Sequence, residues 1–257
     1  MNNRNGSRRN RGQALIITAL IITLMLTSTV YYVLETENET ISIQSTADPY
    51  LSVAEIYTST RNTVISALAN VSNALANVSN GGDQEALNAS LEELSSMLHA
   101  HSYDAEFDLS FTLMNANGTW ISWGEDGSGV SSAYASFVIN VLGSTENYSS
   151  TYETNVTTSL QVNGTYTVEG SEETVNVTCT VYDENGPTLA NRIAIFYQNQ
   201  TDGSWLSVDQ QNNLTTVDFG NGTYAISFPA YSQGPVNVSV QIIDLRDIFV
   251  MANATCG

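Results

Sequence analysis

Apolar residues run without a charge through the 21 residues from Ala14 to Leu34, ALIITALIITLMLTSTVYYVL. As a helix, a run of that length spans roughly 31 Å, enough for the hydrocarbon core of a bilayer. The pattern continues through Ile41 and Ile43 to about Ala47. Asp48-Pro49 then breaks it, because Pro disfavours helical geometry in the residue before it and suits the start of a new helix. From Tyr50 to about Asn80 apolar residues recur at 3/4 spacing (Tyr57, Val64, Leu68, Val71, Leu75 and Val78) and predict a second helix. Leu68-Ala-Asn-Val-Ser-Asn-Ala repeats seven residues later from Leu75 and sets Asn70 and Asn77 on one face away from the apolar stripe. Gly81-Gly82 ends the helix, Asp83 can cap the next one, and Leu87, Leu91, Leu94 and Leu98 give it a stripe. Two striped helices around a glycine turn predict a helical hairpin.

After His101 the period changes to two. Phe107, Leu109, Phe111 and Leu113 alternate with polar residues, and Ala133 to Val141 does the same. Asn117-Gly118 supplies one turn, and Asn163-Gly164 reads as another between Tyr152–Val162 and Tyr166–Val168. Gly170-Ser171-Glu172-Glu173 reads as a domain boundary. Beyond it, strands are predicted at Val175–Tyr182, Arg192–Tyr197, Trp205–Val208, Thr215–Phe219, Thr223–Phe228, Val236–Ile243 and Ile248–Ala254. Seven short strands in one stretch indicate a β-sandwich. The expected fold class is α+β. A long N-terminal membrane or filament helix (13–47) follows a basic leader (1–12). A helical hairpin with a small antiparallel sheet (48–169) comes next, and an all-β Ig-like sandwich (170–257) ends the chain.

Composition adds location. Fifteen Asn-X-Ser/Thr motifs occur, where 26 Asn in a chain with 57 Ser and Thr give about six by chance. One is at Asn5; the others are Asn38, Asn70, Asn77, Asn88, Asn117, Asn147, Asn155, Asn163, Asn176, Asn199, Asn213, Asn221, Asn237 and Asn253. Such an excess after a membrane segment predicts N-linked sugar outside the cytoplasm. Arg4, Arg8, Arg9 and Arg11 precede the apolar run; only Arg61, Arg192 and Arg246 follow it, against all 26 acidic residues, a net −23. That asymmetry orients the N-terminus inward. A surface this acidic excludes nucleic acid as a partner. Cys179 and Cys256 both fall on the outer side, where pairing is permitted. A bond between them would contribute about 4 kcal/mol in the chain-entropy view; a tail cysteine linked to another molecule is the alternative.

The junction Arg8-Arg9-Asn10-Arg11-Gly12-Gln13-Ala14 resembles the class III signal of archaeal type IV pilin-like proteins. That resemblance implies cleavage between Gly12 and Gln13, retention of the apolar helix, and packing of that helix in a filament. Ile17 stands where bacterial pilins carry Glu, so Glu-guided assembly is not implied. Ala19, Thr23 and Thr27, four residues apart, would let such helices approach closely, or bond back to their own helix. Gly220-Asn221-Gly222-Thr223-Tyr224-Ala225-Ile226-Ser227-Phe228 resembles the Gly-X-Tyr strand of Ig-like modules in prokaryotic surface proteins.

Candidate chemistry is sparse. His99 and His101 with Asp104 or Glu106 offer metal ligands, or form the polar end of a helix. The acidic stretches Gly124–Gly129 and Asp183–Gly186 read as turns, with weak Ca²⁺ binding as the alternative, and neither has an EF-hand ligand register. Trp120, Trp123 and Trp205 suit sugar stacking or a core. No catalytic, cofactor or metal residue is assigned, and the chain reads as a non-enzyme. The expected function is an N-glycosylated structural or adhesive protein of the cell surface. Its partners are the membrane or like subunits through residues 14–34, in a homo-oligomer or filament. The alternative is a single-pass anchored binding module for a solute, a polymer or the surface layer.

Overall fold

The computed structural model describes residues 49–75, 81, 83–101, 106–113, 118–142, 147–169, 172–208, 214–230 and 234–257. The apolar run at 14–34 and the helix expected over 13–47 lie outside the described residues. Among the described residues no helix is long and apolar enough to cross a membrane. Tyr57–Gly257 form one compact unit, and the described part of the other unit is Pro49–Ile56.

Two helices come first, α1 (Pro49–Leu75) and α2 (Gln84–His101). Both follow the apolar spacing: Val64, Leu68, Leu87 and Leu91 are fully buried, whereas Asn70 is exposed. The Asp83 side chain accepts the Ala86 N–H at 3.0 Å and caps α2. The rest of the described chain is strand. In order these are β1 (Glu106–Leu113), β2 (Thr119–Trp123), β3 (Ser128–Leu142), β4 (Asn147–Glu169), β5 (Glu172–Asp183) and β6 (Gly186–Pro187). They continue as β7 (Ala190–Gln198), β8 (Trp205–Ser207), β9 (Thr215–Asp218), β10 (Thr223–Pro229), β11 (Val236–Asp244) and β12 (Phe249–Cys256).

These strands form two antiparallel sheets. The larger runs β1-β3-β4-β5-β10-β9, with β2 beside β3 and β6 beside β5; the smaller runs β12-β11-β7-β8. This corrects the α+β expectation of a small sheet followed by a separate Ig-like sandwich. The chain is mostly β, and its main sheet takes strands from both sides of residue 170. The cause is β4, a strand of 23 residues. Asn147–Gln161 pair with β3, and Thr158–Glu169 pair with β5. All seven strand segments expected over 175–254 have counterparts, but β5, β10 and β9 belong to the same sheet as β1–β4.

Period-two patterning divides β4 between two environments. Its even positions Val156, Leu160 and Val162 are buried, and its odd positions from Asn147 to Thr167 are all polar. The inner face of the first half meets α1 through Tyr152, whose hydroxyl touches that of Thr60. The inner face of the second half meets the smaller sheet. Val175, Val177, Cys179 and Val181 of β5 lie buried on the same side, and the smaller sheet buries Val236, Val238, Val240 and Ile242 of β11.

The turn expected at Asn163-Gly164 is absent, because β4 passes straight through it. Gly164 faces inward, and a Cβ there would overlap the Cys256 sulfur. Its glycine is explained by a close approach between the sheets rather than by turn geometry. Gly164→Ala is accordingly expected to cost about 1–3 kcal/mol by overpacking. Urea unfolding of the single variant and of Gly164→Ala/Cys256→Ala checks this, since removing the sulfur should restore most of the loss.

Candidate functional site

Ten of the acceptor-motif asparagines have described side chains, and none of the ten is buried. Asn70, Asn147, Asn155, Asn163, Asn176, Asn221 and Asn237 are exposed; Asn88, Asn199 and Asn253 are half-buried. Asn38, Asn77, Asn117 and Asn213 lie outside the described residues, as do Gly12 and Gln13.

The motifs sit in two kinds of place. In the first, the motif closes its own turn. Asn199 accepts the Thr201 N–H at 2.9 Å, and Asn221 accepts the Thr223 N–H at 3.1 Å. These are Asx turns, favoured by Asn for its short side chain. In the second, the motif lies along a strand. Asn147, Asn155 and Asn163 recur every eight residues on β4. An even spacing puts all three on one face, with steps of about 26 Å. Asn176 of β5 stands opposite Thr165 and shares that face. The outer face of the larger sheet thus carries four acceptor motifs on a polar surface.

The strand β11 motif is more enclosed. Asn237 accepts a hydrogen bond from the Thr255 hydroxyl at 2.8 Å and donates one to the Gln198 side-chain oxygen at 3.0 Å. Its own motif hydroxyl, on Ser239, is 4% exposed. Asn253 lies diagonally across, and its side-chain oxygen is buried with no hydrogen-bond partner.

A charged cluster is the second feature, and sequence reasoning missed it. Asp244, 1% exposed, ends β11. Its Oδ1 accepts the Arg246 N–H (2.8 Å) and the Ile248 N–H (3.0 Å). Its Oδ2 accepts Arg246 Nε (2.9 Å) and the Thr158 hydroxyl (2.7 Å). Arg246 Nη1 donates to Glu184 Oε2 at 2.8 Å, and Nη2 donates to the Thr157 carbonyl at 2.8 Å. Glu184 also pairs with Arg61 of α1. Burial alone would raise the Glu184 pKa; hydrogen bonds from Arg246 and the Thr157 N–H, with the Arg246 charge, bring it below its ordinary value. Every side-chain donor and acceptor of Asp244, Arg246 and Glu184 is used within the protein, which is the chemistry of a clamp. Asp244 sits two residues from Arg246, a local signal; Glu184 and Thr158 reach them only through the fold.

The cysteines stand as free thiols in the structure, both buried, with no bond between them. Burial pushes Cys179 up to about 12 and Cys256 up to about 11. Almost no thiolate is present at neutral pH, so exchange is slow. Labelling with an alkylating reagent is expected to modify neither thiol in the native protein and both after denaturation. Two unreactive cysteines in denaturant would instead show a bond.

Other candidates do not converge. Trp123 is 7% exposed, packs edge-on against Phe249 and donates from Nε1 to the Ser131 hydroxyl at 3.2 Å. It is a core residue, whereas Trp120 and Trp205 are exposed. The 124–129 stretch is a stitched turn: Asp126 accepts the Ser128 hydroxyl, which lowers its pKa, and Gly127 bridges Asn253 and Val162. In the 183–186 stretch the Asp183 side chain accepts the Asn185 N–H. His99 and His101 end α2, and their side chains lie outside the description. Among the described residues no group of three or more His, Cys, Asp or Glu gathers in a metal-binding arrangement. No protein-family model matches the chain, and no curated protein matches it by sequence.

Proposed function

We propose that this protein is an N-glycosylated structural or adhesive component of the cell surface. The apolar segment 14–34 holds it in the membrane or joins it to like subunits, and the residues after it lie outside the cell. Residues 8–14 act as a pilin-type processing signal, with cleavage between Gly12 and Gln13. The observation that carries this reading is the excess of acceptor motifs, fifteen where composition gives about six, together with their regular recurrence along one strand face. None of the ten described motif asparagines is buried, and the outer face of β4 repeats them at even spacing. An acidic, sugar-bearing β-structure suits a scaffold or contact surface better than a catalyst.

Mass spectrometry of the mature N-terminus from native membranes tests the processing step. Gln13 as the first residue is the expected result. An intact leader with Arg8, Arg9 and Arg11 in place would overturn pilin-type processing and leave residues 14–34 as a plain anchor.

A further inference from the structure

Two acceptor motifs face each other across β4 and β5. Asn163 lies opposite Thr178, and Thr165 lies opposite Asn176. Thr165 completes Asn163-Gly164-Thr165, and Thr178 completes Asn176-Val177-Thr178. Each asparagine therefore stands against the hydroxyl residue that makes the other one an acceptor. All four side chains are exposed. We propose that these motifs form a single glycosylation site with two alternative positions, so that on the folded sheet a glycan at Asn163 or at Asn176 excludes the other. This inference rests on reading the chain as an exported glycoprotein.

The argument is one of reach. Side chains directly opposite in an antiparallel pair have Cβ atoms about 4.5–5.5 Å apart, and diagonal neighbours are about 7–8 Å apart. In the transfer, the asparagine Nδ2 bonds to the anomeric carbon of a lipid-linked oligosaccharide. The bond from that carbon to the lipid phosphate oxygen breaks, and the phosphate leaves with the electron pair. One Nδ2 proton passes to a base of the transferase. The motif hydroxyl two residues on has to be open to the enzyme as well. A sugar on Asn163 lies over Thr178 and hides the hydroxyl that Asn176 needs. A sugar on Asn176 hides Thr165 in the same way.

The smaller sheet provides a contrast. Asn237 faces Thr255 and Ser239 faces Asn253, the same reciprocal register. There the Asn237 amide is committed to Thr255 and Gln198, and Ser239 is buried. That pair is a closed polar ladder; the pair on β4 and β5 is open at all four positions.

Site occupancies of the full-length protein, purified from its own cells, are measured by glycopeptide mass spectrometry after cleavage at acidic residues. The occupancies of Asn163 and Asn176 are expected to sum to no more than one glycan per chain. Replacing the more occupied asparagine by glutamine should then raise the other towards the former sum of the two. Asn155, about 26 Å along the strand, should not change. A sum well above one glycan, or an unmoved partner in the variant, overturns the proposal: the transferase would then act before the strands pair. Sugar elsewhere on the chain but on neither asparagine also overturns it while leaving the glycoprotein reading in place. A chain with no sugar at all overturns both.

Discussion

Arg246→Ala is expected to destabilise the protein by about 3–5 kcal/mol, the usual cost of removing one partner from a buried ion pair. Arg246 and Glu184 are 18% and 14% exposed in their side chains, and Asp244 is 1% exposed. The guanidinium fork meets two carboxylates, a carbonyl and a hydroxyl together. Without it, Asp244 keeps its backbone donors and Thr158 but loses its countercharge. Arg246→Lys should recover only part of the loss, since an ammonium cannot reproduce the planar fork. Guanidinium unfolding at neutral pH measures both. The pH dependence has a fixed sign. Glu184 titrates lower in the folded protein than its ordinary value. Its contribution is therefore full above the ordinary carboxylate range and is lost as pH falls through the folded pKa. The gap between wild type and Arg246→Ala should narrow on acidification. A gap that stays constant down to pH 2 would show that Glu184 takes no part.

That cluster also marks where the sequence stops being informative. Strand and helix placement follow from period alone. Leu109 to Leu113 alternate because one face of β1 is covered, and Leu87 and Leu91 recur because one face of α2 is. Gly164 misleads for a definite reason. Asn-Gly is strong turn chemistry, but here glycine is required by a sulfur that arrives from the last strand, 92 residues later. Gly170-Ser171 misleads in a similar way. With Glu172-Glu173 it reads as a domain boundary, yet Glu169 pairs with Glu172 across it. Once that pairing is fixed, the register brings Asn163 opposite Thr178 without further choice. The facing motifs were thus encoded in the sequence, but only to a reader who knew that these two strands are neighbours. Asp244 and Arg246 are close in the chain, but Glu184 is 62 residues from Arg246, and no local pattern connects them.

Phe137→Ala is expected to cost a further about 3–5 kcal/mol, as for other buried aromatic truncations. Phe137 is fully buried on β3, with Phe111 directly opposite on β1 and Tyr152 directly opposite on β4. Its ring stacks on Tyr152 with centroids 5.0 Å apart, and Tyr152 meets Tyr57 of α1 edge-on at 4.2 Å. The ladder carries sheet packing into the helix, where the Tyr57 hydroxyl bonds the Ser150 hydroxyl at 2.8 Å. Removing Phe137 opens a cavity between two strands that are fixed by their own hydrogen bonds, so the site cannot collapse to fill it. Phe137→Leu keeps most of the volume and should cost less than half as much. A double-mutant cycle with Tyr57→Phe separates the packing from the hydroxyl bond, because that substitution removes the bond to Ser150 and leaves the ring. Additive losses would show that the Tyr57–Ser150 bond is independent of Phe137. A coupling above about 0.5 kcal/mol would show that α1 is positioned through Phe137 rather than beside it.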